Sequence, residues 1–179
     1  HERITFCERQ SFGYNQFMGA FTYLLNKVAF PYKFEIFLQK DQDMLEEKLK
    51  TLVRVERVKA TLIPPNSNDD DLKMLRENLV YMQQCEETNA TKMEMAYASS
   101  NLNMESKVMK DIKTAVSRGY GDVNATGVNG SGRTQTVRSS QDAAYTINIQ
   151  ENIREEDFND ESRNMINRFL RKIAAKRFS

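Results

Sequence analysis

The side chains able to do chemistry fall into a few short stretches. Asp69-Asp70-Asp71 is a run of three carboxylates, the kind of cluster that can hold a hard cation such as Mg²⁺. Its spacing is wrong for a calcium loop, which needs alternating ligands around a central glycine. Lys92 and Glu94 share one face of a strand-like run, opposite Met93 and Met95. Together with Asp69 and Asp70 they would make the carboxylate-and-lysine set of a metal-dependent nuclease. A plainer account is stronger at both places. Acids ahead of an apolar helical run cap it and match its dipole. Lys92 and Glu94 suit the wet face of a half-buried strand. The only histidine is His1, so no Ser-His-Asp, Cys-His or His-metal arrangement can be drawn. No catalytic residue, metal or cofactor is implied, and the expectation leans away from an enzyme.

Gly119-Tyr120-Gly121 and Gly127-Val128-Asn129-Gly130-Ser131-Gly132 lie beside Arg118 and Arg133. A phosphate cradle needs glycines that open a helix. These glycines follow a helix or join strands, so they read as a helix stop and a hairpin turn. Arg118, Arg133 and Arg138, with Tyr120 and the hydroxyls of Thr134, Thr136, Ser139 and Ser140, remain candidates for contacts to a phosphate backbone. The last helix is asymmetric. Glu151, Glu155, Glu156, Asp157, Asp160 and Glu161 are followed by Arg163, Arg168, Arg171, Lys172, Lys176 and Arg177, with no acid after Glu161. The helix dipole favours that order. It does not account for the unbroken basic half, which suits a polyanion or an acidic surface. The nucleic-acid-binding candidates are therefore Arg118, Arg133, Arg138, Arg168, Arg171, Lys172, Lys176 and Arg177.

These residues sit in a chain of 179 residues with 26 Lys+Arg, 25 Asp+Glu and a net charge of +1. Polyanion binding must then come from local patches, not global charge. The hydrophobic share of 40%, with 10 Phe and 7 Tyr, supports one compact unit over 1–179. There is no apolar run of about 18 residues, so no membrane span is expected, and no window reads as a secretory signal. Cys7 and Cys85 read as free thiols of a reducing, cytoplasmic compartment. The acids Glu86 and Glu87 should keep Cys85 unreactive. The nine Met read as core filler.

Hydrophobic spacing supplies the elements. A short strand is expected over 3–8. Phe17, Phe21, Leu24, Leu25 and Val28 mark a helix over 14–30, stopped by Pro31. Alternation at Tyr32, Phe34, Ile36 and Leu38 predicts a strand. Asp43, with Glu46 three residues on, resembles a capping box ahead of Leu45, Leu49 and Leu52. Val55, Val58, Ala60 and Leu62 predict a strand over 54–63 with a bulge near Glu56-Arg57. Leu72, Leu75, Leu79 and Met82 predict a helix, and Met93, Met95 and Tyr97 a strand over 91–98. A helix over 103–117 turns Val108, Ile112 and Ala115 or Val116 inward. Strands over 123–128 and 133–138 flank the Asn129-Gly130 turn, and Tyr145, Ile147 and Ile149 alternate on another. The last helix, 157–176, carries the stripe Met165, Ile166, Phe169, Leu170 and Ile173, read as core or as a homodimer contact. The order is β-α-β-α-β-α-β-α-β-β-β-α, which predicts an α/β to α+β fold: a mixed sheet with helices packed on it. A subdomain boundary is expected near 52–68. The start at His1, straight into a strand-like run, is expected to mark a fragment lacking N-terminal strands.

The run Val55-Glu56-Arg57-Val58-Lys59-Ala60-Thr61-Leu62-Ile63-Pro64-Pro65-Asn66, then Asn89-Ala90-Thr91-Lys92-Met93-Glu94-Met95 and Arg118-Gly119-Tyr120-Gly121, resembles an uncharacterised bacterial family found near phage-defence genes. That family is distantly similar to the RexA phage-exclusion protein of lambdoid prophage. The likeness covers roughly 34–149 and is a pattern of strand, Pro-Asn loop and strand. It implies a cytoplasmic, non-enzymatic DNA-binding protein of an abortive-infection or prophage-exclusion system. It carries no functional residue onto a position here. Two other readings stand beside it: a protein-interaction or oligomerisation domain of such a system, and the metal-dependent nuclease.

Overall fold

The computed structural model describes residues 4, 6, 8, 11–32, 34, 36–64, 80–146 and 154–177, the side chains at 80, 155 and 172–177 excepted. The Asp69-Asp70-Asp71 run, the helix at Leu72, Leu75 and Leu79, Ile147 and Ile149, Cys7 and most of the strand expected over 3–8 lie outside those residues. In chain order the elements are α1 (Tyr14–Val28), α2 (Gln42–Lys50), β1 (Leu52–Leu62), α3 (Val80–Thr88), β2 (Met93–Ala98), α4 (Lys107–Ser117), β3 (Gly121–Asn129), β4 (Thr134–Arg138), α5 (Ser139–Asp142) and α6 (Glu155–Arg177). They divide into two compact units, 37–145 on one side and 1–36 with 146–179 on the other.

The central unit is built on a four-stranded sheet in the order β2-β1-β3-β4. Every pairing is antiparallel, which corrects the mixed sheet expected from the sequence. The alternation of strand and helix misled for a topological reason. β2 and β3 run parallel to each other and are joined through α4, but β1 lies between them and opposes both, so this is a split β-α-β unit.

One face of the sheet is dry. Val58, Ala60 and Leu62 of β1, Val123 and Ala125 of β3 and Val137 of β4 meet Leu45 and Leu49 of α2, Tyr81, Met82 and Cys85 of α3, and Met109, Ile112, Ala115 and Val116 of α4 in one buried cluster. Burial of these side chains is the main stabilising term. Val108, expected inward, is 42% exposed, and Met109 takes the core position one residue later. Met93, Met95 and Tyr97 are half-buried on one face of β2, as the alternation predicts.

β1 carries the feature that later places the charged side chains. Its buried residues are spaced by three at Leu52, Val55 and Val58, then by two at Ala60 and Leu62. The register against β3 slips between Leu52 and Arg54 and again between Val55 and Arg57. Each slip inserts one extra residue, and each reverses which face the following side chains take. The bulge expected near Glu56-Arg57 is present, and a second one sits at Val53.

Local chemistry sets the helix ends. The N-cap of α2 is Asp41, whose Oδ1 accepts from the Asp43 and Met44 backbone N–H groups at 3.0 and 3.3 Å. This corrects the Asp43 cap, since the helix begins two residues earlier than the apolar spacing suggested. Ser106 caps α4 by accepting from the Met109 N–H. Gly119, at φ +86°, ends it. Its N–H donates to the Val116 carbonyl and the Tyr120 N–H to the Ala115 carbonyl, a Schellman stop. The β3–β4 hairpin uses Gly132, at φ +77°, as its left-handed residue, not Gly130.

In the second unit, Phe6, Phe17 and Phe21 form a ring stack with centroids 4.2 and 5.4 Å apart. No strand forms at the described residues of 32–38, which corrects the strand expected there. The Asn26 side chain explains this: its amide donates to the Phe34 carbonyl and accepts from the Phe34 N–H. One side chain thus takes the bonds a neighbouring strand would have made. Among the described residues, no helix is long and apolar enough to cross a membrane.

Candidate nucleic-acid interface

The two bulges put Arg54, Arg57 and Lys59 on the same face of β1, the one turned away from the helices. In an unbroken strand Arg54 and Arg57 would lie on opposite faces. Register then fixes their neighbours. Lys59 pairs with Ala96 on β2 and Asn124 on β3, and Asn124 with Arg138 on β4. Arg57 pairs with Ala98 and Thr126, and Thr126 with Thr136. The hydroxyls of Thr126 and Thr136 are hydrogen-bonded at 2.9 Å. Two adjacent rows of the open face therefore hold three cations, two hydroxyls, an amide and two alanines, and no acid.

Arg57, Lys59 and Arg138 are exposed, and among the described residues none of them forms an ion pair. Arg54 is occupied, its guanidinium donating to Glu56 Oε1. Strand spacing puts the Cα atoms of Lys59 and Arg138 about 10 Å apart and those of Arg57 and Lys59 about 7 Å apart. The acids begin one row further along, where Thr61 pairs with Glu94 and Asp122. Glu94 is paired with Lys92 at 3.3 Å.

Asp122 has a more elaborate setting. Lys40 reaches it with its side chain fully buried, its Nζ 2.5 Å from Asp122 Oδ1 and 3.1 Å from the Gly121 carbonyl. Burial holds the Lys40 pKa below the usual lysine value, although Asp122 opposes that shift. Ser139, buried at the start of α5, donates to the same Asp122 oxygen at 3.1 Å and accepts from the Val123 N–H at 2.9 Å. Residues 39–41 are held by bonds between the Asp41 N–H and the Ala143 carbonyl and between the Tyr145 N–H and the Gln39 carbonyl. Sequence reasoning missed this network, because Lys40 and Ser139 look like surface residues until the fold closes.

The residues expected to contact nucleic acid are dispersed. Arg138 lies on the open face. Arg133 is exposed at the hairpin, next to the first residue of β4. Arg118 is the exposed C-cap of α4. Arg168 and Arg171 are exposed on α6, in the other unit. The side chains of Lys172, Lys176 and Arg177 lie outside the described residues. Arg57 and Lys59 were not singled out, because only the register across β1, β3 and β4 brings them beside Arg138. The face holds no aromatic side chain in its two basic rows.

At Cys85 the cause of the raised thiol pKa differs from expectation. Cys85 is buried, and burial pushes its thiol pKa up, where the sequence pointed to Glu86 and Glu87. Tyr81 is buried with its hydroxyl unpaired among the described residues. No three or more His, Cys, Asp or Glu of the described residues are grouped as a metal site.

The chain belongs to the family described as a domain of unknown function, DUF4747, whose model matches residues 1–171. No curated protein and no solved structure matches it.

Proposed function

We propose that this protein is a nucleic-acid-binding module, most readily for DNA, that grips the phosphate backbone with the open face of its sheet. The observation that carries this reading is the acid-free pair of rows containing Arg57, Lys59 and Arg138, three cations with no internal partner among the described residues. Unpaired cations on a flat face release counterions from a polyanion, and neighbouring hydroxyls and amides add hydrogen bonds to phosphate oxygens. The rows lack the aromatic platform on which sheet-based modules stack bases, so the backbone is the natural ligand there. Arg133 extends the basic edge along the hairpin, and the basic half of α6 supplies a second, separate contact. The likeness to prophage-exclusion proteins supports DNA as the polymer and a phage-defence system as the setting.

The test is fluorescence anisotropy of the full chain with labelled single- and double-stranded DNA and RNA over a salt series. Affinity that falls steeply with salt is the expected result. Binding that ignores salt, or no binding to any polymer, overturns the reading. In the second case the exposed Leu170 on α6, 43% accessible, favours a protein-interaction role through that helix.

A further inference from the structure

Next to the basic rows the open face dips into a shallow depression walled by Lys59, Thr61, Glu94, Ala96, Asp122 and Asn124. Asp122 is built into it differently from an ordinary surface carboxylate. Its Oδ1 is taken by the buried Lys40 ammonium and the buried Ser139 hydroxyl. Its Oδ2 has no hydrogen bond among the described residues, and the side chain is one-third exposed. Two buried donors thus hold the carboxylate by one oxygen, leave the other without an internal partner among the described residues, and Asp122 lines the depression.

The charge around it argues against a cation as the occupant. Lys40 sits on Asp122, Lys92 sits on Glu94, and Lys59 stands at the rim. Three ammonium groups against two carboxylates leave no negative excess to hold a metal ion. A neutral group that donates hydrogen bonds fits better. The Thr61, Glu94 and Asp122 row of the depression lies about 7 Å from the row of Lys59 and Arg138, one row beyond the phosphate contacts of the proposed function, on which this inference rests.

We infer that the depression receives the amine-bearing edge of a nucleobase turned out of a single strand. Asp122 Oδ2 accepts from the exocyclic amine, Asn124 can meet a neighbouring ring nitrogen or carbonyl, and Ala96 supplies an apolar wall. Carboxylates pair in this way with the cytosine amine, and thymine places a carbonyl oxygen at the equivalent position. Thymine would set one acceptor against another. The site therefore discriminates amine-bearing bases from thymine, while Arg57, Lys59 and Arg138 hold the backbone without regard to sequence.

The experiment compares oligo-dC and oligo-dT of equal length by anisotropy, at one salt concentration, on the full chain. Binding of dC about tenfold tighter than dT is expected, the discrimination of one good base contact. Stacking and backbone flexibility alone give only modest preferences among strands. A double variant, Lys40→Met with Asp122→Asn, removes the buried charge pair together, so the fold is kept. In it the preference falls to parity while salt-sensitive binding persists. Equal binding of dC and dT by the unaltered protein overturns this inference and leaves the backbone reading standing. No binding of either overturns both. A preference that survives in the folded double variant places base reading elsewhere and overturns the site.

Discussion

Lys40 and Asp122 are joined by an ion pair of 2.5 Å in which the lysine side chain is wholly buried and the carboxylate is one-third exposed. The pair ties the segment ahead of α2 to the first residues of β3, and Ser139 ties α5 to the same oxygen. Three separate pieces of chain meet at one carboxylate on the face of the sheet turned away from the helices.

Lys40→Ala is expected to destabilise the protein by about 3 kcal/mol, because it strands a partly buried charge and empties the space of the lysine stem. That corresponds to a fall in Tm of roughly 6–12 °C for a chain of this size. Lys40→Met keeps the stem and should recover only the packing part of the loss, because Asp122 is still left without its ammonium partner. Thermal unfolding followed by circular dichroism checks both.

The same lysine predicts a pH trend. Its folded pKa is lowered by burial, below the ordinary 10.5. Between those two values the unfolded chain holds the proton and the native chain does not. Stability contributed by Lys40 therefore rises with pH through that window. Urea unfolding of the wild type and Lys40→Met, at about pH 8 and about pH 10, should show the wild type gaining on the variant. A wild type that loses ground to the variant as pH rises contradicts the assignment.

Gly127→Ala should disrupt the sheet. A Cβ there would overlap the Arg54 carbonyl oxygen of the neighbouring strand. Gly121 is as tight against the Thr61 carbonyl, at φ +144°. Either substitution is expected to cost about 3 kcal/mol or more. Gly130→Ala, which meets nothing within 4 Å, is the control and should unfold with the wild type.

Tyr81→Phe should unfold at no lower temperature than the wild type. The hydroxyl it removes is buried without a partner among the described residues, so its loss forfeits no internal hydrogen bond. Burial raises the Tyr81 pKa above its usual 10. The stability tied to its proton is present below that value and fades as pH climbs past it. The variant should therefore overtake the wild type in strong alkali.

Much of this architecture was legible in the sequence. The alternation of Met93, Met95 and Tyr97 and of Val58, Ala60 and Leu62 reports half-buried strands, and the Gly119 stop and the hairpin follow from local backbone rules. What escaped was non-local. Nothing near Tyr32 announces that Asn26 will occupy the Phe34 backbone. Strand–helix alternation cannot say that β1 slots between β2 and β3. The candidate interface was half visible: Arg138 could be picked out by its hairpin, whereas Arg57 and Lys59 join it only through register across three strands. The Lys40–Asp122 contact spans the unit and has no local signature.

The central claim rests on the open face, and one comparison tests it most directly. Anisotropy titrations with duplex and single-stranded DNA over a salt series are run on the wild type, on Arg57→Ala/Lys59→Ala/Arg138→Ala, and on Arg168→Ala/Arg171→Ala. If the sheet face grips phosphates, the triple variant stays folded, binds more weakly, and its log–log salt slope is smaller by roughly 3, about one unit per lost contact. A triple variant that binds as the wild type does, with an unchanged slope, contradicts the account.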